Sequence, residues 1–258
     1  KAMSESQHRR TVILTGASRG IGHATVQRFS DEGWRIITCS REGIPDHCRA
    51  DPNWTHHIPT DLSDNGDVEA FVKKANEILG DEPVHALVNN AGLALGTGPI
   101  QNCDLEEWKT MIDTNVTGLV TITRLLIDQL IESKAIIVNL ASIAASWPYP
   151  GGNVYGGTKA FVRQFSLGLR SDLFGTGVRV TSIEPGLSES EFTLVRTGGN
   201  KDAYDKLYAG ADPLQPEDIA ESVYWAASLP PHVNINAIEI MPVSQSWAPF
   251  QVHRKQVS

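Results

Sequence analysis

The chain has 258 residues, of which 41% are hydrophobic and 20% are charged, the composition of an ordinary globular protein with enough length for a large core. Its formal net charge of −8 disfavours non-specific binding to nucleic acid or to an anionic membrane. No apolar run approaches the roughly 20 residues of a membrane span, and Cys39, Cys48 and Cys103 lack the spacing of metal ligands, which indicates reduced thiols in a cytoplasmic protein without a metal centre.

Short β-branched runs alternate with amphipathic stretches along the chain. Strands are predicted at Thr11–Thr15, Arg35–Cys39, His57–Thr60, Val84–Asn89, Ala135–Leu140, Val178–Ile183 and Ala237–Met241. Helices are predicted at Ile21–Glu32, Gly66–Leu79, Leu105–Glu132, Val154–Phe174 and Pro216–Ser228. Residues 1–10 are interpreted as a tag remnant and an N-terminal tail. Residues 11–258 are predicted to form one α/β domain of Rossmann type, a doubly wound parallel sheet of about seven strands with helices on both faces.

Two segments interrupt this alternation. The stretch Arg41–His56 is rich in Pro, Asp and His and lacks helical periodicity, so the crossover there is predicted to be mostly loop. The stretch Leu187–Asp212 contains Gly198, Gly199 and Gly210 and is predicted to be a mobile excursion on the substrate side.

A glycine-rich turn follows the first predicted strand and opens the first predicted helix. Its residues include Gly16, Ser18, Arg19, Gly20, Ile21 and Gly22, with the spacing G-x-x-x-G-x-G. Glycines let the backbone approach a pyrophosphate, and a helix N-terminus offers free N–H groups and a positive dipole end. This position favours dinucleotide binding, although tight strand–helix packing alone would also need glycine.

The end of the second predicted strand bears on the choice of cofactor. An acidic residue there would bind the ribose 2′-OH of NAD, whereas an arginine suits a 2′-phosphate. This chain has Ser40 and Arg41, with Arg19 as a second cation in the glycine turn. We therefore expect NADP(H) to be preferred over NAD(H), and the alternative is that Arg41 is a solvated surface residue.

Tyr155 and Lys159 are four residues apart in a predicted helix and so share one of its faces. A lysine ammonium near a phenol would lower the phenol pKa from its ordinary value of roughly 10 and favour a base. Ser142, thirteen residues before the tyrosine, could hold a carbonyl or alcohol oxygen beside it. The alternative is a chance pairing on a surface helix.

Together these motifs resemble those of the short-chain dehydrogenase/reductase family over essentially the whole chain. The matched residues are TGASRGIG at 15–22, Asp61, Leu62, Asn89, Asn90, Ala91, Gly92, Asn115, Ser142, Tyr155, Lys159, Pro185 and Gly186. The resemblance implies that Asn115, Ser142, Tyr155 and Lys159 are catalytic. It implies cofactor contacts for the glycine turn, Ser40, Arg41, Asp61, Leu62, Asn89–Gly92, Tyr155, Lys159, Pro185, Gly186, Leu187 and Ser190.

The family's chemistry assigns a role to each catalytic position. Tyr155 would exchange the hydroxyl proton as a general acid–base group, and Ser142 would orient the substrate oxygen. Lys159 would lower the pKa of Tyr155 and bind the nicotinamide ribose. Asn115 would hold a water that links Lys159 to solvent, or would bond to backbone at a helix bend.

A narrower resemblance concerns the NADP-dependent 3-hydroxy acid dehydrogenases, which oxidise serine, L-allo-threonine and 3-hydroxyisobutyrate. It lies in residues 89–96, 146–166, 191–196, 229–236 and 241–247. The implied substrate is a small 3-hydroxy acid or β-hydroxy amino acid, but residues 188–191 depart from the pattern and leave the exact substrate open. The alternatives are a 3-oxoacyl carrier-protein reductase, a broad-specificity carbonyl reductase and, outside the enzymes, an NADP-sensing binding protein.

Three residues are candidates for substrate contact: Trp147 as a wall, Gly186, and Arg196 as a grip on a carboxylate. For Arg196 the alternative is a surface ion pair with Glu189 or Glu191. Nearby, Glu184 is predicted to be a local hydrogen-bond acceptor, and Arg163 a structural ion-pair partner close to a subunit interface.

The predicted helices at residues 105–132 and 154–174 carry more apolar positions than one buried face needs. Phe161, Phe165 and Leu169 form a stripe on the second of them. The resemblance implies a homotetramer in which these two helices pack against a partner.

Overall fold

The structure is a computed structural model that describes residues 9–43, 51–247, 252 and 255. Cys48 and residues 44–50 of the predicted loop lie outside the described residues, as does the tail before residue 9. No described helix is both long enough and apolar enough to cross a membrane.

Seven parallel strands form one sheet in the described part of the chain. They are β1 (Thr11–Thr15), β2 (Arg35–Ser40), β3 (Trp54–Pro59), β4 (Ala86–Asn89), β5 (Ile136–Leu140), β6 (Arg179–Pro185) and β7 (Ala237–Ile240). Their order is β3-β2-β1-β4-β5-β6-β7, so the predicted doubly wound fold is confirmed. The order reverses between β1 and β4, and a ligand crevice is expected at the carboxyl ends of strands at such a point.

Helices cover both faces of the sheet. The longer ones are α1 (Gly20–Asp31), α2 (Asn65–Leu79), α3 (Leu105–Ile112), α4 (Leu119–Glu132) and α5 (Asn153–Asp172). They are followed by α6 (Phe192–Arg196), α7 (Lys201–Tyr208) and α8 (Pro216–Ser228). Within β1, Val12 and Leu14 enter one core with α1 and α8, while Ile13 enters the other core with α2 and α4. Because both faces of β1, β4 and β5 are buried, these strands read as almost continuous apolar runs.

The helix predicted at Leu105–Glu132 is divided in the structure. A π-helical turn at Asp113–Gly118 separates α3 from α4. A Cβ atom on Gly118 would overlap the carbonyl oxygen of Leu62, so the helix approaches the backbone closely at this point. The apolar periodicity continues on both sides of the π-helical turn, so the sequence pattern does not reveal the turn. Turns of this kind are frequent at functional sites.

The segment predicted to be an irregular excursion is partly helical. It contains α6 and α7, and the Asn200 side chain caps α7 by accepting a bond from Ala203 N at 3.0 Å. Gly198 and Gly199 have positive φ values of 62° and 85° and separate the two helices. The glycines therefore mark one sharp break between short helices rather than an absence of helix.

Strand β3 begins three residues earlier than predicted. Trp54 is buried at its start and donates its indole N–H to Thr38 Oγ1 of β2 at 2.7 Å. This contact between neighbouring strands extends β3 beyond the short apolar run that the sequence pattern detects.

Candidate active site

The glycine turn forms a cradle at the carboxyl end of β1. Gly16 has a φ of 74°, and a Cβ atom there would lie 2.8 Å from Ala91 Cα. A Cβ atom on Gly22 would overlap the carbonyl oxygen of Gly16. Glycine at these two positions is therefore required by close packing within the turn and against the loop after β4, as the packing alternative predicts, and Gly16 and Gly22 also line the cleft.

The first turn of α1 leaves its N–H groups available. The residue before the helix, Arg19, makes no side-chain cap, and no acidic residue lies in the first turn. Gly20, Ile21 and Gly22 line the cleft, which has a volume of about 260 Å³. The positive end of the helix thus lies at the place where an anionic group would be held.

Asn90, which directly follows β4, stabilises the glycine turn. Its side-chain amide donates to the carbonyl oxygens of Thr15 and Gly16, both at 3.0 Å. Thr15 Oγ1 in return accepts from the backbone N–H groups of Asn90 and Ala91 at 3.1 and 3.0 Å. The loops after β1 and β4, on the two sides of the reversal in strand order, are therefore held together.

Two arginines line the end of the cleft near β2 and β3, where Ser40, Asp61 and Leu62 also lie. Arg19 is within 3.7 Å of a Glu42 carboxylate oxygen and 3.6 Å of a Glu191 carboxylate oxygen, and both pairs are exposed and hence weak. Partial burial alone would raise the pKa of Asp61, but hydrogen bonds from Ser63 and the charge of Arg41 lower it below its ordinary value. The charge of Arg41 thus contributes to the lowered pKa of Asp61, which lines the cleft.

Ser142, Tyr155 and Lys159 meet at the opposite end of the cleft. Lys159 donates to the carbonyl oxygen of Leu140 at 2.7 Å, and its ammonium nitrogen lies 5.8 Å from the centroid of the Tyr155 ring. Ser142 Oγ accepts from Ala144 N at 3.1 Å. The helical spacing does bring phenol and ammonium together.

Burial controls the protonation of this pair. It lowers the pKa of Lys159 from 10.5 to about 8. Burial also raises the pKa of Tyr155 above its ordinary value, with a smaller contribution from Tyr149, while the Ser142 hydrogen bond and the charge of Arg196 act in the opposite direction. Desolvation of the phenol outweighs the Ser142 hydrogen bond and the Arg196 charge, and the lowering of the Tyr155 pKa by Lys159 stays a prediction.

Asn115 lies in the π-helical turn and bonds to backbone. Its Oδ1 accepts from Leu93 N at 2.9 Å, and its Nδ2 donates to Leu93 O at 2.8 Å and to Thr158 Oγ1 at 3.1 Å. A Cβ atom on Gly92 would lie 3.3 Å from both Asn115 Oδ1 and Lys159 Nζ. Asn115 from the π-helical turn and Lys159 from α5 thus approach the same glycine, and Asn115 bonds to backbone as the backbone-bonding alternative predicts.

Arg196 of α6 lies beside Tyr155, the predicted catalytic tyrosine. Its guanidinium carbon is 5.8 Å from the Tyr155 ring centroid. The guanidinium donates to Tyr149 Oη at 2.6 Å, to Gly151 O at 3.0 Å and to Gly96 O at 3.4 Å. These bonds bring a positive charge close to the position that a substrate would take.

The alternative surface pairs of Arg196 are not found among the described residues. Glu189 instead accepts from Tyr204 Oη and from Gln215 Nε2, both at 3.2 Å. Glu191 lies near Arg19.

Five predicted site residues do not line the cleft: Asn89, Asn115, Trp147, Leu187 and Arg196. Asn89 is buried and donates to Thr123 Oγ1 and Asn139 Oδ1, so it acts within the sheet. Leu187 donates its backbone N–H to Gln245 Oε1 at 2.7 Å. Trp147 is 39% exposed and packs 6.4 Å from the Trp247 ring, outside the residues that line the cleft.

The remaining predicted residues do line it. They are Gly16, Ser18, Gly20, Ile21, Gly22, Ala91, Gly92, Pro185, Gly186 and Ser190. A Cβ atom on Gly186 would overlap Gln245 Oε1, so packing also requires glycine at this position.

Arg163 and Glu184 form an ion pair between α5 and β6 in which the arginine is partly exposed and the glutamate is buried. The Arg163 Nε to Glu184 Oε1 distance is 3.3 Å, and the glutamate side chain is 1% exposed. Ser182 Oγ donates to the same carboxylate at 3.1 Å, and Arg163 also donates to Ser146 Oγ. The predicted roles of Arg163 as an ion-pair partner and of Glu184 as a local acceptor are confirmed.

Several cleft residues escaped sequence reasoning. Leu93 and Thr114 adjoin matched motifs, whereas Phe192 and Val195 lie on one face of α6. The Phe192 ring centroid is 5.5 Å from that of Tyr155. Phe192 and Val195 are three residues apart, and this spacing was the signal in the sequence that could have indicated α6. The glycines on either side of the segment obscured it.

Comparison with known proteins gives four informative matches. The family profile described as short chain dehydrogenase matches residues 10–198. Serine 3-dehydrogenase of Rhizobium radiobacter is 54% identical over 249 residues, covering 95% of this chain and 98% of that protein. Sulfoacetaldehyde reductase 2 of Chromohalobacter salexigens is 47% identical over 254 residues, covering 94% and 98%. The solved closed form of serine dehydrogenase complexed with NADP⁺ superposes with a TM-score of 0.85 at 43% identity and covers 95% of this chain and 100% of that one.

Proposed function

The chain belongs to the short chain dehydrogenase family, and from this premise we propose that it is an NADP-dependent oxidoreductase of small 3-hydroxy acids or β-hydroxy amino acids. The proposed reaction is a reversible hydride transfer between nicotinamide and the hydroxyl-bearing carbon. The observation that carries the substrate class is the Arg196 guanidinium, 5.8 Å from the ring of Tyr155. A buried carboxylate needs such a cation or several hydrogen-bond donors.

The cofactor would lie along the cleft from β2 to β6. The glycine turn and the start of α1 would hold the pyrophosphate, and Arg19 and Arg41 would hold the 2′-phosphate. The NADP⁺ in the similar serine dehydrogenase structure supports this choice. When bound, the cofactor supplies the hydride chemistry, and the protein supplies orientation and proton transfer.

Proton transfer falls to Tyr155. Because burial raises the pKa of Tyr155, its protonated form predominates, and this is the form that donates a proton to a carbonyl oxygen during reduction. Oxidation needs the phenolate, and Lys159, whose pKa is about 8, is the neighbouring group that can stabilise it. Ser142 would orient the substrate oxygen beside the phenol.

Arg196 would bind the substrate carboxylate. A guanidinium carries five N–H donors, and the described bonds to protein groups use three of them. The remaining donors can reach an anionic group while Tyr149 and Gly151 hold the side chain in place. Phe192 and Val195 of the same helix would shield the hydride step from water.

A second candidate function is the reduction of an aldehyde that carries a sulfonate. The similarity to sulfoacetaldehyde reductase 2 favours it, and the same cation would bind either anion. The departure at residues 188–191 noted in the sequence lies next to α6, where the choice between the two anions would be made.

Initial rates with a substrate panel test the proposal. We expect oxidation of serine, L-allo-threonine and 3-hydroxyisobutyrate with NADP⁺, and weak oxidation of isobutanol, which matches 3-hydroxyisobutyrate in shape but has no carboxylate. Equal rates for these last two would instead indicate a broad-specificity carbonyl reductase. Reduction of acetoacetyl thioesters alone would indicate a carrier-protein reductase, and NADP(H) binding without any turnover would indicate a sensor.

We further propose a single-domain cytoplasmic homotetramer that packs through α3–α4 and α5. Phe161 is 40% exposed and stacks on Phe165 with ring centroids 5.7 Å apart, and Leu125 of α4 is similarly exposed. Exposed apolar side chains on both α4 and α5 support an interface with a partner.

A further inference from the structure

The turn that carries Arg41 is held from below by a histidine of the neighbouring strand. His57 of β3 pairs in register with Thr38 of β2, so its ring lies under the residues that follow β2. Its Nε2 is 2.9 Å from Glu42 O and 3.2 Å from Ser40 Oγ. Both neighbours of Arg41 in the chain therefore contact one imidazole nitrogen.

The hydrogen bonds are consistent with a single tautomer. Thr38 Oγ1 accepts from Trp54 Nε1 at 2.7 Å and lies 2.8 Å from His57 Nδ1, to which it can donate its own hydrogen. The other possible acceptor of this hydrogen, His56 O, is farther away at 3.5 Å. With Nδ1 as an acceptor, the imidazole proton is on Nε2 and is donated to Glu42 O.

The turn is closed by a second bond to the same carbonyl. Ser40 Oγ donates to Glu42 O at 2.6 Å, so the Glu42 carbonyl accepts from both Ser40 and His57. These two bonds fix the backbone on either side of Arg41. Because the backbone at Arg41 is held in place, less conformational entropy is lost when the guanidinium binds an anion.

We infer that His57 is a positioning residue for cofactor selectivity: it holds the Ser40–Glu42 turn so that Arg41 can bind the 2′-phosphate of NADP(H). The inference rests on the proposed placement of that phosphate at Arg41. His57 itself lies beneath the turn, so it acts on NADP(H) through Arg41. His57 therefore affects the ratio of the affinities for NADP(H) and NAD(H). It does not affect binding of the nicotinamide half, which both cofactors share.

Three substitutions of His57 separate its two nitrogens. His57→Leu removes both polar contacts. His57→Asn places its amide near the Nδ1 position, and His57→Gln places its amide near the Nε2 position. His56→Leu is the matched control, because His56 is the exposed neighbour on the same strand.

Dissociation constants for NADPH and NADH, measured by fluorescence titration, give the readout. We expect His57→Leu and His57→Asn to weaken NADPH binding by about tenfold and NADH binding by no more than about twofold, the effect of losing one anchored ionic bond. His57→Gln and His56→Leu should stay within about threefold of the parent for both cofactors. If His57→Leu fails to fold, the comparison between the Asn and Gln variants decides.

Two outcomes would overturn the inference. One is an equal loss of NADPH and NADH affinity, or no loss, in the Leu and Asn variants. The other is a loss in the Gln variant as large as that in the Asn variant. Arg41→Met distinguishes a failure of the underlying proposal: if this change leaves the NADPH to NADH ratio unaltered, the 2′-phosphate does not bind at Arg41 at all.

Discussion

The half-buried Tyr155 and the buried Lys159 are the two residues that we propose to share the proton transfer. Burial disfavours the charged form of each, so it raises the pKa of the phenol and lowers that of the ammonium. The two pKa values therefore move in opposite directions, and the state favoured at neutral pH contains a neutral phenol. The Ser142 hydrogen bond and the charge of Arg196 partly oppose the rise of the phenol pKa and so favour ionisation.

Tyr155→Phe should retain NADPH affinity and lose on the order of 10²–10⁴ in kcat, because only the acid–base hydroxyl is removed. Single-turnover rates and fluorescence titration of NADPH measure the two properties separately. Activity within threefold of the parent would show that another group transfers the proton.

Lys159 should make the stability of the protein depend on pH between about 8 and 10.5. In that range the unfolded lysine still holds its proton and the folded one has released it, so the unfolded state binds more protons and stability rises with pH. Relative to Lys159→Met, the parent should gain on the order of 3 kcal/mol in unfolding free energy across this window. Urea unfolding of both proteins at pH 7.5 and 9.5 tests this, and a constant difference between them would contradict it.

Arg196→Met should lower kcat/KM for 3-hydroxyisobutyrate by about ten- to a hundredfold, the value of a bond to a charged group. Oxidation of isobutanol should change little, because this alcohol has no carboxylate to bind. Lys206→Met, an exposed change on α7, is the control. Equal losses for the two substrates would mean that Arg196 only supports the fold of α6.

At the scale of elements, the positions of strands and helices follow from patterns that the sequence shows directly. The apolar runs of β1, β4 and β5 and the glycine turn before α1 place the cofactor cleft. The π-helical turn could not be predicted, because it depends on a backbone contact between distant segments, whereas α6 and α7 carried weak local signals in the spacing of Phe192 and Val195 and in the Asn200 cap. Neither the contact of Gly118 with Leu62 nor the bonds of Arg196 to Tyr149 and Gly151 leaves a local periodicity.

Gly118→Ala tests the close contact at the π-helical turn. The added methyl group would overlap Leu62 O, and overpacking of this kind costs roughly 1–3 kcal/mol of unfolding free energy. Gly168→Ala in α5 is the control: a Cβ atom there meets nothing within 4 Å, and the change should stabilise the helix by roughly 0.5–1 kcal/mol. Chemical denaturation of both variants measures the difference, and a neutral Gly118→Ala would show that the helix can shift away from Leu62.

At the scale of the whole molecule, one sheet brings together a cofactor end and a substrate end that different parts of the chain supply. Residues 10–198 contain the family match, whereas β7 and Gln245 lie beyond it. The exposed apolar residues of α4 and α5 lie outside the cleft and so can serve assembly without interfering with catalysis.

Light scattering should give a mass near four times 28.1 kDa at micromolar concentration. Phe161→Glu should shift the protein towards smaller species, because a buried unpaired charge opposes association. Trp225→Glu, an equally exposed aromatic residue on α8, should leave the mass unchanged. A parent protein that is monomeric would refute the proposed tetramer.

The bond from Leu187 to Gln245 also has a consequence for the order in which the site is completed during synthesis. The glycine turn and the catalytic tyrosine emerge from the ribosome long before Gln245, whose side chain supports the loop that follows β6. A nascent chain that has been translated only as far as β7 can pair its strands but lacks this support beside Gly186. Catalytic competence should therefore arise late in translation, after most of the sheet has formed.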